Sequence, residues 1–406
     1  MKVCILTLAT AWGGAELHTV TLARTLAAGD HVISIYELGH NFYDTAKLDG
    51  YNRIGIIHLD IPTSARGLKL FAWLRLLRNL DGDVCVFPKS IIEAGGWQLD
   101  LAARLLFPRY VTIEHLGCVP MPPRTTERHL GGLIPGVGAW WFRMLVARWF
   151  RSFGPHRVVC VSHAMEKVLT EHYRFPVHKV TTIHNGIDPS LYQRVPEARR
   201  AIRNALGIPK DALVFGSVGR LHVRKGYDVA LEAFHQLISQ MPDRDIYFIL
   251  VGDGPMRSAL MRRAGENGLL GRFALLGFTD RPWEAYSAFD IFLMPSSHEG
   301  LPLALLEAMA CGCCPIATAV GGIPEILTDA TLGWLVKPGD PSAFLAMMQA
   351  AVQASPEARL EMSRMAREHI VTNFNSKLQY PALAELLEKE FEYLRNREAL
   401  VAESQN

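Results

Sequence analysis

The sequence predicts an α/β protein with two domains, each built on a parallel sheet whose strands alternate with helices. The chain has 406 residues, more than a single hydrophobic core usually organises. Short apolar runs alternate with amphipathic stretches along most of it, an order typical of parallel sheets. Hydrophobic residues make up 49% of the chain and charged residues 20%, which leaves enough apolar material for strands buried on both faces.

The first half predicts five strands separated by helices. A helix is predicted over 15–28, where Leu17, Val20, Ala23, Leu26 and Ala27 share one face. The predicted strands are 3–8, 31–36, 84–87, 110–114 and 158–161.

The second half repeats the pattern without repeating the sequence. Asn185-Gly186-Ile187-Asp188 and the proline after it are turn chemistry, so we expect the interdomain connection near 185–196. We therefore predict a first domain over 1–190 and a second over 191–372, with a C-terminal helix at about 373–406 that packs back on the first domain. The predicted strands of the second domain are 213–218, 247–251, 273–276, 291–294 and 314–318.

Charge and cysteine usage exclude several classes of protein. A net charge of +2 argues against a nucleic-acid binder. Residues 1–190 carry 20 Lys+Arg against 15 Asp+Glu, and the rest carry 22 against 25, which favours an anionic acceptor or surface for the first half. Seven dispersed cysteines indicate reduced thiols rather than a disulfide framework. Cys311, Cys313 and Cys314 lack a second pair at zinc-like spacing, so we expect packed side chains and no metal.

No targeting or membrane-spanning segment is predicted. The apolar run at the N-terminus is too short for a signal peptide. No stretch reaches the roughly 18–20 uncharged apolar residues of a membrane span. We therefore expect a cytoplasmic protein.

Two glycine-rich turns follow predicted strands. Gly13 and Gly14 open the first predicted helix, where backbone amides can approach a phosphate, although a plain tight turn fits as well. Glu16 is expected at the surface, complementing the helix dipole. Gly252 and Gly254 lack the third glycine of a dinucleotide fingerprint, which disfavours a nicotinamide site and leaves a nucleotide-base lining or an ordinary turn.

Two further segments carry charge at the carboxyl ends of predicted strands. Arg220 and Lys225 suit a diphosphate, with a solvated basic loop as the alternative. Residues 295–312 contain Glu299 and Glu307, which are separated by seven residues. Pro302 suits the first turn of a helix, so the amides just before it are free to face an anion.

These residues resemble family 4 of the retaining glycosyltransferases. The resemblance covers nearly the whole chain and implies the GT-B fold, in which two Rossmann-like, doubly wound parallel-sheet domains face each other across a cleft. Its specificity comes from the order and spacing of several motifs. The matching elements are Asn185-Gly186-Ile187-Asp188, the pair Arg220 and Lys225, Gly252-Asp253-Gly254, the pair Glu299 and Glu307, and Gly321-Gly322-Ile323-Pro324-Glu325.

The resemblance implies a role for each residue of the donor site. Arg220 and Lys225 would hold the diphosphate of a nucleotide sugar. Glu299 would orient the sugar and support positive charge at its anomeric carbon, with the amides of Gly300 and Leu301 on the phosphate.

The remaining implied residues surround the same donor. Glu307 would bind the ribose and Phe278 would lie beside the base. Gly13 and Gly14 would lie near the diphosphate, and His115 would reach the transferred sugar from the first domain. The neighbouring Glu114 is a weaker candidate.

The family resemblance also implies the reaction. Sugar would pass with retention of configuration from a UDP- or GDP-sugar, with no cofactor and no divalent metal, by front-face attack in which the leaving phosphate accepts the acceptor's proton. Asp81-Gly82-Asp83 imitates a metal-binding motif but precedes a strand, so we predict a turn there.

The sequence offers one feature that bears on the acceptor, a predicted helix in the first domain. A helix over 139–153 would gather arginines on one side and aromatic residues on the other, which fits a peripheral membrane helix or a helix packed on the sheet equally well. Similar enzymes often build lipopolysaccharide or other cell-surface polysaccharide, so a glycan or lipid-linked acceptor is expected. A non-catalytic sugar-nucleotide-binding scaffold and a nucleotide-sugar epimerase remain as alternatives.

Overall fold

The chain folds into two compact units. The computed structural model describes residues 1–8, 13–38, 48, 51–59, 70–89, 96–115 and 152–403. Unit 1 comprises Met1–His184 and Tyr380–Asn406, and unit 2 comprises Asn185–Gln379. These divisions fall a few residues from the predicted boundaries after 190 and 372.

Unit 1 is built on a parallel sheet of seven strands in the order β3-β2-β1-β4-β5-β6-β7. The central strands carry apolar residues on both faces, and β4 and β5 are buried at every position. That continuous burial requires helices on both sides of the sheet. The strands are β1 (Lys2–Thr7), β2 (Val32–Leu38), β3 (Ile54–Leu59), β4 (Val84–Lys89), β5 (Arg109–Glu114), β6 (Arg157–Cys160) and β7 (Val180–Thr182).

The described helices of unit 1 pack apolar faces on this sheet. In the first of them Val20, Ala23, Leu26 and Ala27 are buried as predicted, whereas Leu17 is partly exposed. The helices are Gly14–Ala28, Leu70–Leu77, Gly96–Leu106 and His163–Lys167, followed by a π-helical turn at Val168–His172 and a 3₁₀ turn at Val177–Lys179.

Unit 2 is built on a parallel sheet of six strands in the order β10-β9-β8-β11-β12-β13. The strands are β8 (Leu213–Val218), β9 (Ile246–Val251), β10 (Phe273–Leu275), β11 (Ile291–Met294), β12 (Cys314–Thr318) and β13 (Trp334–Val336). The helices are Pro196–Ala205, Tyr227–Gln240, Arg257–Glu266, Pro282–Ala288, Leu303–Ala310, Ile323–Ile326, Pro341–Gln353 and Pro356–Asn373, with a 3₁₀ turn at Val223–Lys225. The last helix of the chain, Ser376–Glu403, begins in unit 2 and passes into unit 1 at Tyr380.

Three strands escape the sequence prediction, and all three lie at sheet edges. The strand β3 reads Ile-Gly-Ile-Ile-His-Leu, in which Gly55 and His58 interrupt the apolar run, and three of its six positions are exposed. The strands β7 and β13 have three residues each. The ten predicted strands are present, with ends that move by at most two residues.

The segment Asp81-Gly82-Asp83 is a short connection with a bend at Asp83, and it lies at the amino end of β4, on the side of the strand that was predicted. The Lys2 amide donates to Asp83 Oδ2 at 2.7 Å, and Lys2 Nζ lies 2.6 Å from Asp81 Oδ2. Both carboxylates are therefore engaged at the edge opposite the carboxyl ends of the strands.

Two predictions about the surface have different outcomes. Among the described residues, no helix combines the length and the apolar character needed to cross a membrane. Positions 139–151 of the predicted surface helix lie outside the described residues. Only its last positions are described, and there the Arg104 guanidinium lies over the Phe153 ring at 5.5 Å.

Candidate functional site

The loops that leave the carboxyl ends of β8 to β12 pack against one another at one edge of the unit 2 sheet. Gly252 has φ 140°, and a Cβ there would overlap the carbonyl oxygen of Gly219. A Cβ on Gly254, with φ 151°, would lie 2.6 Å from Leu221 O. The Gly252 amide donates to Gly277 O at 2.7 Å. Close backbone approach thus explains both glycines, and their predicted place beside a nucleotide base stays a prediction.

The loop after β8 concentrates positive charge. Arg220 is exposed, and its guanidinium makes no ion pair with any described residue. His222 Nδ1 accepts a hydrogen bond from the Arg224 amide at 3.3 Å, which caps the short 3₁₀ turn. Burial, followed by the charges of Arg224, Arg220 and Lys225, lowers the pKa of His222. Cations therefore surround this imidazole, an arrangement that attracts an anion.

Two of the predicted catalytic residues form an ion pair. Lys225 Nζ donates to Glu299 Oε1 at 2.6 Å, and Ser296 Oγ donates to the same oxygen at 2.7 Å. The Glu299 side chain is 9% exposed and that of Lys225 is 29% exposed, so the carboxylate is the more deeply enclosed partner. Ser296 was not predicted, because an isolated serine gives no signal in the sequence.

The turn that follows Glu299 presents unused backbone donors. The amides of Gly300 and Leu301 donate to no acceptor among the described residues. Pro302 precedes the helix Leu303–Ala310 in an extended conformation, and its carbonyl accepts from the Leu305 amide at 3.2 Å. Pro302 was predicted in the first turn of this helix, and the structure has it one position earlier, as the N-terminal cap. The free amides lie just before a helix N-terminus, a position that favours anions.

Glu307 lies inside the same helix and is almost completely buried. Its Oε1 accepts from the Tyr192 hydroxyl at 3.0 Å, and its Oε2 accepts from the Tyr286 hydroxyl at 2.7 Å. Burial raises the pKa of Glu307, and the two phenol hydrogen bonds act in the opposite direction. Neither tyrosine was predicted. The ribose-binding role of Glu307 stays a prediction, since each carboxylate oxygen keeps a second lone pair.

Phe278 follows β10 as an exposed aromatic ring. Phe278 is 63% exposed, and it comes directly after Gly277, whose φ is 82°. A large exposed ring on a tight turn is available for stacking. Its place beside a nucleotide base stays a prediction.

The predicted residues of unit 1 lie at the carboxyl ends of β1 and β5. Gly13 is the extended cap of the helix Gly14–Ala28, and both glycines are exposed. The preceding residues 9–12 lie outside the described chain. Glu16 is only 7% exposed, so the prediction that it lies at the surface is wrong. The residues buried at this end of the helix are the polar Glu16, His18 and Thr19, so no apolar stripe in the sequence marks the inward face there.

His115 follows β5 and packs edge-on against His18, with 4.6 Å between the ring centroids. His18 in turn packs on Tyr380 at 5.0 Å. Burial lowers the pKa of His115 to about 4, so the imidazole is neutral near pH 7. Its Nε2 has no hydrogen-bond partner among the described residues. A neutral ring of this kind can exchange hydrogen bonds with a sugar without adding charge.

Glu114, the weaker candidate, belongs to a buried charged cluster. Lys89 Nζ lies 3.7 Å from Glu114 Oε1 and 2.8 Å from Asp100 Oδ1. The Tyr110 hydroxyl donates to the same Asp100 oxygen at 2.7 Å. All four side chains are buried, which fits a structural network.

The three neighbouring cysteines of unit 2 are buried. Cys313 Sγ donates to Tyr286 O at 3.4 Å, and Cys314 Sγ donates to Arg359 O at 3.1 Å. Burial raises the pKa of each of these two thiols to about 12. Packed, protonated side chains agree with the prediction made for this cluster.

Comparisons with known proteins place the chain in a family. Residues 12–191 match the family model described as Glycosyltransferase Family 4, and residues 198–369 match the model described as Glycosyl transferases group 1. A 2-deoxystreptamine glucosyltransferase of Streptomyces kanamyceticus is 29% identical over 279 residues, which cover 68% of this chain and 69% of that relative. The amylovoran biosynthesis glycosyltransferase AmsK of Erwinia amylovora is 31% identical over 224 residues, which cover 53% of this chain and 52% of AmsK. The chain also spans about half the length of several D-inositol 3-phosphate glycosyltransferases that it matches.

Solved structures agree at the level of the fold. The Anabaena protein HepE, crystallised with UDP and glucose, is 19% identical, with a TM-score of 0.76 and coverage of 96% of this chain and 100% of HepE. This chain therefore belongs to glycosyltransferase family 4, and its two parallel-sheet units have the GT-B fold.

Proposed function

We propose that this protein is a retaining, metal-independent glycosyltransferase that moves a sugar from a UDP- or GDP-sugar to a glycan or lipid-linked glycan. One observation carries the proposal. Free amides, an exposed arginine and the Lys225–Glu299 ion pair share the carboxyl edge of one parallel sheet, the edge where doubly wound sheets bind ligands. The amides, the arginine and Lys225 offer hydrogen-bond donors to a diphosphate, and Glu299 offers a carboxylate to the sugar that the diphosphate carries.

The diphosphate is held by positive charge from the protein. In this proposal Arg220 binds phosphate oxygens through its planar fork, and Lys225 adds a compact charge. The amides of Gly300 and Leu301 complete the anion site. Charge developing on the leaving diphosphate is stabilised by fixed donors, which do not have to reorganise during the reaction.

Glu299 acts on the sugar. As the bond from the anomeric carbon to the diphosphate breaks, positive charge grows on that carbon, and the enclosed carboxylate stabilises it. The acceptor hydroxyl attacks from the face that the diphosphate leaves, and its proton passes to the departing phosphate oxygen. His115, by resemblance, binds the same sugar as a neutral hydrogen-bonding group.

The acceptor belongs to cell-surface polysaccharide synthesis in this proposal. The similarity to AmsK, an amylovoran biosynthesis glycosyltransferase, supports that direction. The excess of basic residues over 1–190 suits an anionic or lipid-linked acceptor. We include peripheral contact of 139–153 with the cytoplasmic face of a membrane in the same proposal.

A donor-turnover assay tests the proposal without knowledge of the acceptor. UDP- and GDP-sugars are incubated in EDTA with the wild type and with Glu299→Gln, and nucleotide release and the anomer of the freed sugar are followed by NMR. We expect release of one nucleotide with the sugar anomer retained, and a loss of about 100-fold or more in Glu299→Gln. Ser363→Ala, which removes a partly buried hydrogen bond from the helix Pro356–Asn373 to Gly312 O, is the control.

Each alternative gives a different result in this assay. An epimerase would convert the sugar into its epimer while the sugar stays attached to the nucleotide. A scaffold would bind the nucleotide sugar without cleaving it. Inversion of the anomer or a requirement for divalent metal would contradict the proposed mechanism.

A further inference from the structure

The Asn185 side chain reaches the turn that carries the free amides. Its Nδ2 donates to Leu301 O at 2.7 Å, across 116 residues of sequence. Asn185 is 3% exposed and Leu301 is 3% exposed. The bond is therefore shielded from water, which makes its loss costly, because the carbonyl would stay buried without a partner.

The backbone beside Asn185 is fixed. The Ile187 amide donates to Phe374 O at 2.9 Å, and the Ser376 amide donates to Ile187 O at 2.7 Å. A Cβ on Gly186 would lie 2.9 Å from Ser376 N, so the two chain segments touch directly. Asn185 thus projects from a rigid support within unit 2.

The carbonyls of the turn all face protein. Gly300 O accepts from the Gly322 amide at 2.6 Å, and Gly321 approaches Glu299 O so closely that a Cβ there would overlap it. Leu301 O accepts from Asn185.

Peptide planarity carries this arrangement to the amides. In a trans peptide the N–H points away from the preceding C=O. Fixing the carbonyls of Glu299 and Gly300 therefore aims the amides of Gly300 and Leu301 at the opposite side, where no described residue accepts them. The peptide between Leu301 and Pro302 has no N–H, so its carbonyl is its only polar group, and Asn185 is the partner of that carbonyl.

We propose that Asn185 is a positioning residue, whose side-chain amide fixes the Gly300–Leu301 turn in the orientation that binds a diphosphate. The inference rests on the proposed function, and it gives the motif Asn185-Gly186-Ile187-Asp188 a task beyond that of an interdomain turn. Asn185 acts on the phosphates only through the turn, so it has no effect on the nucleoside part of the ligand.

The test separates phosphate binding from nucleoside binding. Calorimetric Kd values for UDP and uridine, or for GDP and guanosine if the wild type prefers GDP, are measured in EDTA for the wild type and Asn185→Ala. We expect the nucleotide Kd to rise about tenfold in Asn185→Ala, with the nucleoside Kd unchanged. Asn185→Leu has a side chain of nearly the same shape without the donor, so it should show the same loss and carries the test if the alanine variant does not fold.

A matched control isolates the effect of stability. Ser363 Oγ donates to Gly312 O at 2.7 Å, near the amino end of β12 and away from the turn. Ser363→Ala removes a similar side-chain bond to a carbonyl and should leave both Kd values unchanged. An unchanged nucleotide Kd in Asn185→Leu, or an equal loss of affinity for nucleotide and nucleoside, overturns the inference. A wild type that binds no nucleotide overturns the proposed function instead.

Discussion

Replacing Tyr286 by Phe removes one of the two phenol hydrogen bonds to Glu307 and keeps the aromatic ring. The Tyr286 hydroxyl lies 2.7 Å from Glu307 Oε2, and the Tyr192 hydroxyl lies 3.0 Å from Oε1. Burial raises the pKa of Glu307, and both donors oppose that rise because they stabilise the carboxylate. In Tyr286→Phe we expect the pKa of Glu307 to rise further.

The cost in stability follows from the charge on this carboxylate. A hydrogen bond to a charged group contributes about 1.5–3 kcal/mol, and 1 kcal/mol moves the Tm of a domain of this size by about 2–4 °C. Tyr286→Phe should therefore lower the Tm of unit 2 by about 3–12 °C where Glu307 is ionised.

The cost depends on pH. Because the pKa of Glu307 is higher in the folded state, the native protein binds more protons than the unfolded chain between the two pKa values, and stability falls as pH rises through that window. Tyr286→Phe raises the folded-state pKa of Glu307 and so extends this pH range to higher pH. Its Tm deficit should thus be larger at alkaline pH than at a pH near the ordinary glutamate pKa of about 4.3.

Scanning calorimetry of the wild type, Tyr286→Phe, Glu307→Gln and the double variant measures this effect. With Glu307→Gln as background no carboxylate is present, so the cost of Tyr286→Phe should become independent of pH. An equal Tm deficit for the single Tyr286→Phe variant at both pH values would refute the reasoning, since Glu307 would then not be the charged partner.

Three further predictions address other parts of the fold. Gly252→Ala forces an alanine to φ 140° and onto the Gly219 carbonyl, so calorimetry should show a loss of about 3 kcal/mol or more in the free energy of unfolding. Gly207→Ala, with open space around it, should lose about 1–2 kcal/mol, and equal losses would contradict the packing argument. Because burial lowers the pKa of His115 to about 4, the unfolded chain binds more protons below about pH 6.5, and stability falls as pH drops toward 4. His115→Gln should reduce that fall in Tm, and an unchanged slope of Tm against pH would argue against a neutral ring at this position. The six described cysteines are buried, so Cys118→Ser should show almost no reaction with a thiol reagent until the protein unfolds, and fast labelling of the native variant would contradict their burial.

The central strands could be predicted because burial on both faces leaves a continuous apolar run. The ends of β8, β11 and β12 match the predicted ones. Edge strands lack that signal, since one side meets solvent or the strand is too short. The prediction for Glu16 was wrong because a charged residue in a first helical turn usually faces water, and nothing in the neighbouring sequence marks this one as buried.

The motif residues of the site could be predicted from their order along the chain, but the contacts that hold them could not. Lys225 and Glu299 were assigned to separate tasks, and the structure joins them in one ion pair. Tyr192 lies 115 residues from Glu307, and Asn185 lies 116 residues from Leu301. Such pairs arise only when the sheet brings distant loops to one edge, and neither partner carries a pattern that names the other.

Binding of nucleoside diphosphates to wild type and Arg220→Met, measured by titration calorimetry in EDTA, tests the central claim most directly. Arg220 is exposed and makes no ion pair with a described residue, so its loss should change binding without changing the fold. Arg200→Met, which removes an exposed arginine paired with Glu197 on the helix Pro196–Ala205, is the control. We expect the wild type to bind UDP or GDP without metal, Arg220→Met to bind it about tenfold or more weakly, and Arg200→Met to match the wild type. A wild type that binds neither nucleotide, or equal affinities in all three proteins, would contradict a diphosphate site at the carboxyl edge of the unit 2 sheet.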